Sequence, residues 1–261
     1  MAVDSAACTK PMMAALRPSK WRLGGALWLL GMPGVLAVLW ALLAPLRGNE
    51  ALLPLPLWAV VMLSGLQTAA LLALAVAVGA WLSPRVGLQA PAISAWLDAR
   101  PVAPVLRAQC KPAVLGGIAC ATWLWVLSLV APAGLQSSST ESAMPLVVKL
   151  LYGGITEELL VRWGVMTLLL WVGWRVVQRG QGPPGKALVA VAVLFSAVLF
   201  ALGHLPAAQA MAGLLTLPVV AFVLVGNTVF GLVTGWLYAR HGLEAAMLAH
   251  ILAHLLSHPV L

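Results

Sequence analysis

Residues 145–178 read PLVVKLLYGGITEELLVRWGVMTLLLWVGWRVVQ, an almost unbroken apolar run. A straight α-helix of this length would extend roughly 50 Å at ~1.5 Å per residue, which exceeds the ~30 Å hydrocarbon core of a bilayer. We therefore expect this segment to be a transmembrane helix that protrudes from the membrane, tilts strongly, or breaks near Gly164.

The whole chain shares this apolar character. Of its 261 residues, 62% are hydrophobic and only 8% are charged. A soluble domain averages about a quarter charged residues, so this composition excludes a water-soluble globule. The composition predicts an all-α polytopic integral membrane helix bundle with about seven to eight transmembrane helices. The apolar runs lie at 23–46, 57–82, 113–133, 145–178, 187–204, 211–239 and 243–257.

Charge and hydropathy divide the chain into three parts. They are a basic N-terminus at 1–22, N-terminal transmembrane helices at 23–133, and a transmembrane domain at 145–257 that carries the candidate functional residues. The segment 84–112 is too polar to span a membrane and too apolar for a plain linker, so we expect an interfacial helix there. Pro218 predicts a kink in the sixth apolar run.

The basic residues are distributed unevenly between the loops. With alternate loops assigned to opposite sides, one side receives twelve of the 15 Lys and Arg residues and the other side two, while Arg162 lies within a span. The twelve are Lys10, Arg17, Lys20, Arg22, Arg85, Arg100, Arg107, Lys111, Arg175, Arg179, Lys186 and Arg240. The two are Arg47 and Lys149. The positive-inside rule therefore predicts a cytoplasmic N-terminus.

Six ionisable residues lie inside the predicted spans or at their ends, where such side chains are costly and mark functional candidates. They are Glu157, Glu158, Arg162, His204, His250 and His254. Glu158 and Arg162 are four residues apart on one helical face, so each can neutralise the other. Glu157 then lacks a local partner, which suits a general base in a desolvated cavity. The alternative is a structural Glu–Arg pair with Glu157 facing a wet helix end.

The first histidine motif is Phe200-x-x-x-His204, and a Leu-Pro pair follows it. Because the residue before a proline is biased away from the helical region, we expect a helix to end near His204. A histidine in this position can be an interfacial capping residue, or it can belong to an active site.

The second histidine motif is His250-x-x-x-His254, which places two imidazoles on one face of the last helix. Such a pair can ligate a metal or donate hydrogen bonds to an oxyanion. Zinc peptidase helices carry a glutamate directly after the first histidine, and here that position is Ile251. Any base must therefore come from another helix, and Glu157 is the obvious supplier.

Together these motifs resemble the CPBP membrane peptidases, also called Abi proteins or CAAX prenyl endopeptidase 2-like proteins. That family has Glu-Glu-x-x-x-Arg on one span, Phe-x-x-x-His on a later span, and His-x-x-x-Asn or a variant on another. The residues that match, in order, are Glu157, Glu158, Arg162, Phe200, His204 and His250, and the run Gly231-x-x-x-Gly235-x-x-Tyr238 is also similar. The resemblance covers the CPBP-like region 145–257, and His254 stands where Asn is common.

The resemblance implies an intramembrane endopeptidase that hydrolyses a peptide bond by glutamate-activated water. In the family the first Glu and the middle-motif His activate the water, so these roles fall to Glu157 and His204. The last-motif residues stabilise the oxyanion, a role that falls to His250 and His254. Eukaryotic relatives are associated with prenylated C-terminal motifs, and bacterial relatives with peptide or bacteriocin processing and immunity.

The sequence also leads to expectations about the two remaining site residues, the partners and the location of such an enzyme. Glu158 and Arg162 would orient the site or hold substrate charge. The expected partners are the lipid bilayer and a protein or peptide substrate, with no nucleic acid. An Arg-rich, Lys-poor composition with much Ala and Leu is typical of a GC-rich bacterium, so we expect the bacterial inner membrane.

The sequence does not decide whether the reaction requires a bound metal ion. Glu157, His204 and His250 can form a three-ligand catalytic zinc site, which we favour, with His254 as an oxyanion donor or a ligand. The same groups can also act as a metal-independent glutamate protease. Two rival functions stand beside the protease: a proton- or ion-coupled transporter with these residues as a relay, and an inactive membrane scaffold.

One geometric difficulty accompanies these assignments. If the spans are straight rods, His204 lies near the outer end of its helix, Glu157 lies at mid-membrane and His250 lies nearer the inner end. These side chains then meet only if the helices are tilted or broken.

Overall fold

The computed structural model describes residues 19–47, 50–136 and 144–257. Within these ranges the chain is helical throughout and contains no strand. Most of the predicted N-terminal region 1–22 lies outside the described residues, and its cytoplasmic placement stays a prediction.

Eleven α-helices and a short 3₁₀ turn at Glu50–Leu52 make up the described part, together with two π-helical segments. The α-helices are α1 (Lys20–Leu46), α2 (Leu57–Val86), α3 (Pro91–Leu97), α4 (Ala103–Ser128), α5 (Ala133–Gln136), α6 (Leu146–Val148), α7 (Thr167–Val177), α8 (Lys186–Gly203), α9 (Leu205–Ala212), α10 (Leu217–His241) and α11 (Leu243–Ser257). Six segments in these ranges are long and apolar enough to cross a membrane, and α11 is a shorter apolar helix. The predicted polytopic helix bundle is confirmed.

The long apolar run forms one continuous helix, Leu146–Val177, which we call the central helix. Between α6 and α7 it is wound as π-helix, in a first π segment (Lys149–Glu157) and a second π segment (Leu159–Met166). Because i→i+5 hydrogen bonding places more residues in each turn, this helix is shorter than a straight α-helix of the same chain length. The helix does not break at Gly164, which packs closely against Ala75 of α2.

Two local features differ from the predictions. Pro218 does not kink a helix but lies in the first turn of α10, where a proline has no helical N–H bond to lose. The segment 84–112, expected to form one separate interfacial helix, is instead divided among three helices, because residues up to Val86 belong to α2 and residues from Ala103 belong to α4. Its placement at a membrane interface stays a prediction. Only α3 lies between these two long helices.

Glu244 anchors α3 to the beginning of α11. Its Oε1 accepts a hydrogen bond of 2.9 Å from the backbone N–H of Ile93, in the first turn of α3. Its Oε2 accepts a second bond of 3.1 Å from Gln109 of α4. A carboxylate at the positive end of a helix is favourable, and the two hydrogen bonds satisfy this buried acidic side chain.

The two π segments lie in the middle of the bundle. The first contacts α1 and α11, whereas the second contacts α2, α8 and α10. The hydroxyl of Thr156 donates a 2.7 Å hydrogen bond to the carbonyl oxygen of Gly31, which holds α1 against the first π segment. Leu159 and Trp163 are fully buried in the core around the second π segment. Neighbouring helices therefore surround the polar residues of the central helix.

Candidate active site

Glu158 is a fully buried carboxylate at the junction of the two π segments. Its Oε2 lies 3.3 Å from Nε of Arg162, which is the ion pair that the spacing predicts. Its Oε1 lies 2.8 Å from Nδ1 of His250, on α11. The second contact was not assigned to Glu158 from the sequence, and it ties the central helix to the last helix.

Arg162 is also fully buried, and its guanidinium has two further partners. Its Nε and Nη2 both donate to Oγ1 of Thr234, at 3.0 and 2.6 Å. The guanidinium carbon lies 4.7 Å from the ring centroid of Phe200, a cation–π distance. Sequence reasoning missed Thr234, although the residue lies within the glycine run Gly231–Gly235 of α10.

His250 and His254 face each other as their spacing predicts, with 3.1 Å between their Nε2 atoms. Because a carboxylate oxygen only accepts, Nδ1 of His250 carries the hydrogen and donates it to Glu158. A neutral His250 then presents a lone pair on Nε2 towards His254. The backbone of Gly153 lies beside both rings, since a Cβ there would be 3.1 Å from Nε2 of His254 and 3.4 Å from Nε2 of His250.

His204 lies directly after the last residue of α8, as the Leu-Pro pair predicts. Its Nδ1 lies 2.8 Å from the carbonyl oxygen of Phe200, so Nδ1 donates and Nε2 of the neutral ring keeps a lone pair. The Phe200 ring makes an edge contact with His204 at 4.5 Å between centroids and a longer one with His250 at 6.3 Å. Phe200 therefore lies between the two histidine motifs.

Glu157 differs from Glu158 in its surroundings. Its side chain is only partly buried, at the end of the first π segment. Among the described residues, its carboxylate has neither a hydrogen bond nor an ion pair within bonding distance, whereas both oxygens of Glu158 face charged or hydrogen-bonding groups. Two adjacent carboxylates thus occupy different environments.

The structure brings four of the six candidates into one network, composed of the buried Arg162, Glu158 and His250 and the half-buried His254. His204 adjoins it through Phe200, while Glu157 lies next to it along the chain. The straight-rod difficulty does not arise for His204 and His250, whose rings both contact Phe200, and the first π segment, which ends at Glu157, packs on α11.

The proposed metal ligands are not arranged as a metal site. Over the described ranges, no three His, Cys, Asp or Glu side chains are grouped so that they could hold a metal ion. His250 directs Nδ1 towards Glu158 and Nε2 towards His254. This arrangement does not fit a three-ligand set of Glu157, His204 and His250, so no chemical step below involves a metal. Zinc dependence stays a prediction.

An apolar cavity of about 330 Å³ lies on the helix that carries the histidine pair, although none of its lining residues belongs to the network. It is bounded by α1, α3, α4, the first π segment and α11, with Leu30, Trp96, Ile155 and Ile251 among its lining residues. Ile251 packs against the backbone of Gly154, so the cavity and the paired histidines share the same two helices.

One known protein family resembles the part of the chain that carries the candidate residues. The family model of type II CAAX prenyl endopeptidase Rce1-like proteins matches residues 139–256, which contain all six candidate residues. Comparisons with curated proteins and with solved structures give no significant match. The match covers the central helix and the helices that carry the two histidine motifs. Residues 139–256 are therefore similar to the type II CAAX prenyl endopeptidases of the Rce1-like family.

Proposed function

We propose that the protein is an intramembrane endopeptidase in which Glu157 activates the water that hydrolyses a peptide bond of a membrane-associated protein or peptide. One observation carries this assignment: the contrast between Glu157 and Glu158. Glu158 is buried and engaged by Arg162 and His250, whereas Glu157 is partly exposed and has no hydrogen-bond partner among the described residues. A general base needs a carboxylate that water can reach, and that requirement favours Glu157.

In the proposed reaction, Glu157 takes a proton from water while the water oxygen bonds to the carbonyl carbon. The carbonyl π electrons move to the oxygen, which becomes an oxyanion. When the intermediate collapses, the carbon–nitrogen bond breaks and the leaving nitrogen takes the proton from Glu157. Nε2 of His204, which has a lone pair in the neutral ring, is suited to hold the second hydrogen of the attacking water.

The oxyanion is assigned to the His250–His254 pair. Glu158 accepts the Nδ1 hydrogen of His250 and therefore stabilises an imidazolium at His250, much as the carboxylate of a serine-protease triad does. Because the neutral ring carries a lone pair on Nε2, this role requires His250 to take up one proton from solvent before the substrate binds, and the resulting Nε2–H can then donate to the oxyanion. His254 supplies a second donor, and the buried setting strengthens both hydrogen bonds.

The substrate that we propose carries an apolar group beside its scissile bond. The cavity is lined by apolar side chains apart from Glu244, whose carboxylate accepts hydrogen bonds from Ile93 and Gln109. The matched family is named for prenylated CAAX substrates. An unprenylated membrane peptide fits the same apolar lining, and the following experiment separates the two substrates.

The test uses purified protein in detergent micelles and two fluorogenic peptides with the same CAAX ending, one farnesylated and one not. We expect the wild type to cleave at least one of them, and Glu157→Gln to abolish turnover with an unchanged melting temperature. Glu50→Gln provides the matched control, because Glu50 is an exposed residue of the 3₁₀ turn, away from the network. Mass spectrometry of the products locates the cleaved bond.

Two results would contradict the proposal. Turnover by Glu157→Gln at the wild-type rate would remove Glu157 as the base. A well-folded wild type that cleaves neither of the two peptides, nor peptides extracted from its host membrane, would favour the inactive scaffold. Metal analysis of the same sample, with and without chelator, decides separately whether zinc assists the reaction.

A further inference from the structure

We infer that Thr234 is a positioning residue of the site, which holds Arg162 so that Glu158 stays directed to His250. This inference rests on the proposed endopeptidase function. It concerns a residue on α10 to which the proposed reaction assigns no step and which does not line the apolar cavity.

The hydroxyl of Thr234 is fully buried and uses its hydrogen-bonding capacity within the network. Oγ1 accepts from Nε of Arg162 at 3.0 Å and from Nη2 at 2.6 Å. It donates to the carbonyl oxygen of Phe230 at 3.4 Å, one turn earlier in α10. A hydroxyl has one donor and two acceptor sites, so these three contacts occupy all of them.

Thr234 and Glu158 compete for the same N–H of Arg162. The Nε hydrogen is directed to Thr234, although Oε2 of Glu158 lies only 3.3 Å from Nε. Among the described side chains, Oε2 of Glu158 consequently has no hydrogen-bond donor, while Oε1 bonds to His250. Glu158 thus feels the positive charge of Arg162 but accepts its hydrogen bond from His250.

The same turn of α10 also supports the other end of the network. The ring of Phe230 lies 4.6 Å from the ring of His250 between centroids, and 6.3 Å from that of His254. One helical turn therefore holds Arg162 through Thr234 and packs on the histidine pair through Phe230. Without the hydroxyl, we expect the Nε hydrogen to turn to Glu158 and draw its carboxylate away from His250.

Thr234→Val and Thr234→Ser form the decisive pair of variants. Valine keeps the shape of threonine without an acceptor, whereas serine keeps the hydroxyl. We expect Thr234→Val to lower kcat about 10- to 100-fold with KM within about twofold of wild type, because small displacements of reacting groups act on the chemical step. Thr234→Ser should restore most of kcat.

Thr167→Val is the matched control, since Thr167 is an equally buried threonine. Its hydroxyl bonds to Tyr238 and to the backbone of Arg162, and it does not contact the guanidinium. This variant should lose a similar amount of thermal stability as Thr234→Val but keep kcat within about twofold of wild type.

A second readout requires no substrate. In protein labelled with ¹⁵N-histidine, the ring Nδ1–H resonance of His250, assigned with His250→Gln, reports the hydrogen bond to Glu158. We expect this resonance to move in Thr234→Val and to stay at the wild-type position in Thr234→Ser and Thr167→Val. If Thr234→Val does not fold, Thr234→Ala takes its place in both measurements.

Wild-type kcat and an unmoved resonance in Thr234→Val would overturn the inference. Equal impairment of the serine and valine variants would also overturn it, because the methyl group rather than the hydroxyl would then matter. If the wild type cleaves no peptide, the proposed function fails, and the resonance comparison still decides the role of Thr234.

Discussion

Nδ1 of His250 lies 2.8 Å from Oε1 of Glu158, and both side chains are shielded from solvent. The two residues are 92 positions apart in the chain, and their contact joins the central helix to α11. It fixes which ring nitrogen of His250 carries the hydrogen and where Nε2 is directed. Glu158 is therefore the residue through which the buried ion pair and the histidine pair act as one network.

Removing this carboxylate should damage folding more than the loss of Glu157 does. Glu158→Gln leaves the buried Arg162 without its counter-charge, and such a loss typically costs about 3–5 kcal/mol. We expect a clear fall in the melting temperature in detergent for Glu158→Gln and none for Glu157→Gln. Equal stability of the two variants, together with equal loss of turnover, would contradict this division between the two carboxylates.

Two variants distinguish the two possible roles of His254, as a hydrogen-bond donor to the oxyanion or as a metal ligand. As a donor, it should tolerate His254→Asn, which also offers an N–H group, whereas His254→Ala should lose on the order of 10²- to 10³-fold in rate. Metal content would then be the same in both variants. As a ligand, His254 is poorly replaced by an amide, so both variants would lose metal and activity together.

The measurement is metal stoichiometry and cleavage rate for the wild type, His254→Asn and His254→Ala at matched purity. We expect the donor pattern, because the 3.1 Å contact places His254 against His250 Nε2, where an Asn amide can also donate. Full activity of His254→Ala with unchanged metal content would rule out both roles.

Gly153 should be required for the position of the histidine pair. A Cβ at this residue would lie 3.1 Å from Nε2 of His254, a distance at which the ring has to move. We expect Gly153→Ala to lower kcat by at least about tenfold while the melting temperature is unchanged or higher, because alanine favours helix over glycine.

The control for this variant is Gly25→Ala in α1, where an added Cβ would meet no atom within 4 Å. It should retain wild-type turnover. Unchanged kcat in Gly153→Ala would show that the histidine pair does not depend on this close approach.

The orientation in the membrane is predicted from charge alone. Because twelve basic residues fall on one predicted side and two on the other, reporters fused after Ser139 should be outside and those after Gly182 inside. Paired alkaline phosphatase and fluorescent protein fusions measure this. If both sites lie on the same side, the central helix does not cross the membrane as we propose.

Much of the bundle could be predicted from the sequence because hydropathy and near-neighbour spacing act locally along the chain. Apolar length gave the spans, and a spacing of four residues gave both the Glu158–Arg162 pair and the facing of His250 and His254. The helix end at His204 followed from the proline that comes after the next residue. A local pattern gave a wrong prediction where it is compatible with two structures. Pro218 can either kink a helix or lie in its first turn, and it lies in the first turn of α10.

The partnerships across the site were decided only by the tertiary structure. No local pattern indicates that Glu158 bonds to His250 or that Thr234 holds Arg162, because these contacts depend on how distant helices pack. The contacts of the central helix with α1 at Gly31 and with α11 beside Gly153 are likewise long-range. Buried polar groups must find partners wherever packing brings them, so the sequence determined which groups enter the membrane and the fold decided which of them meet.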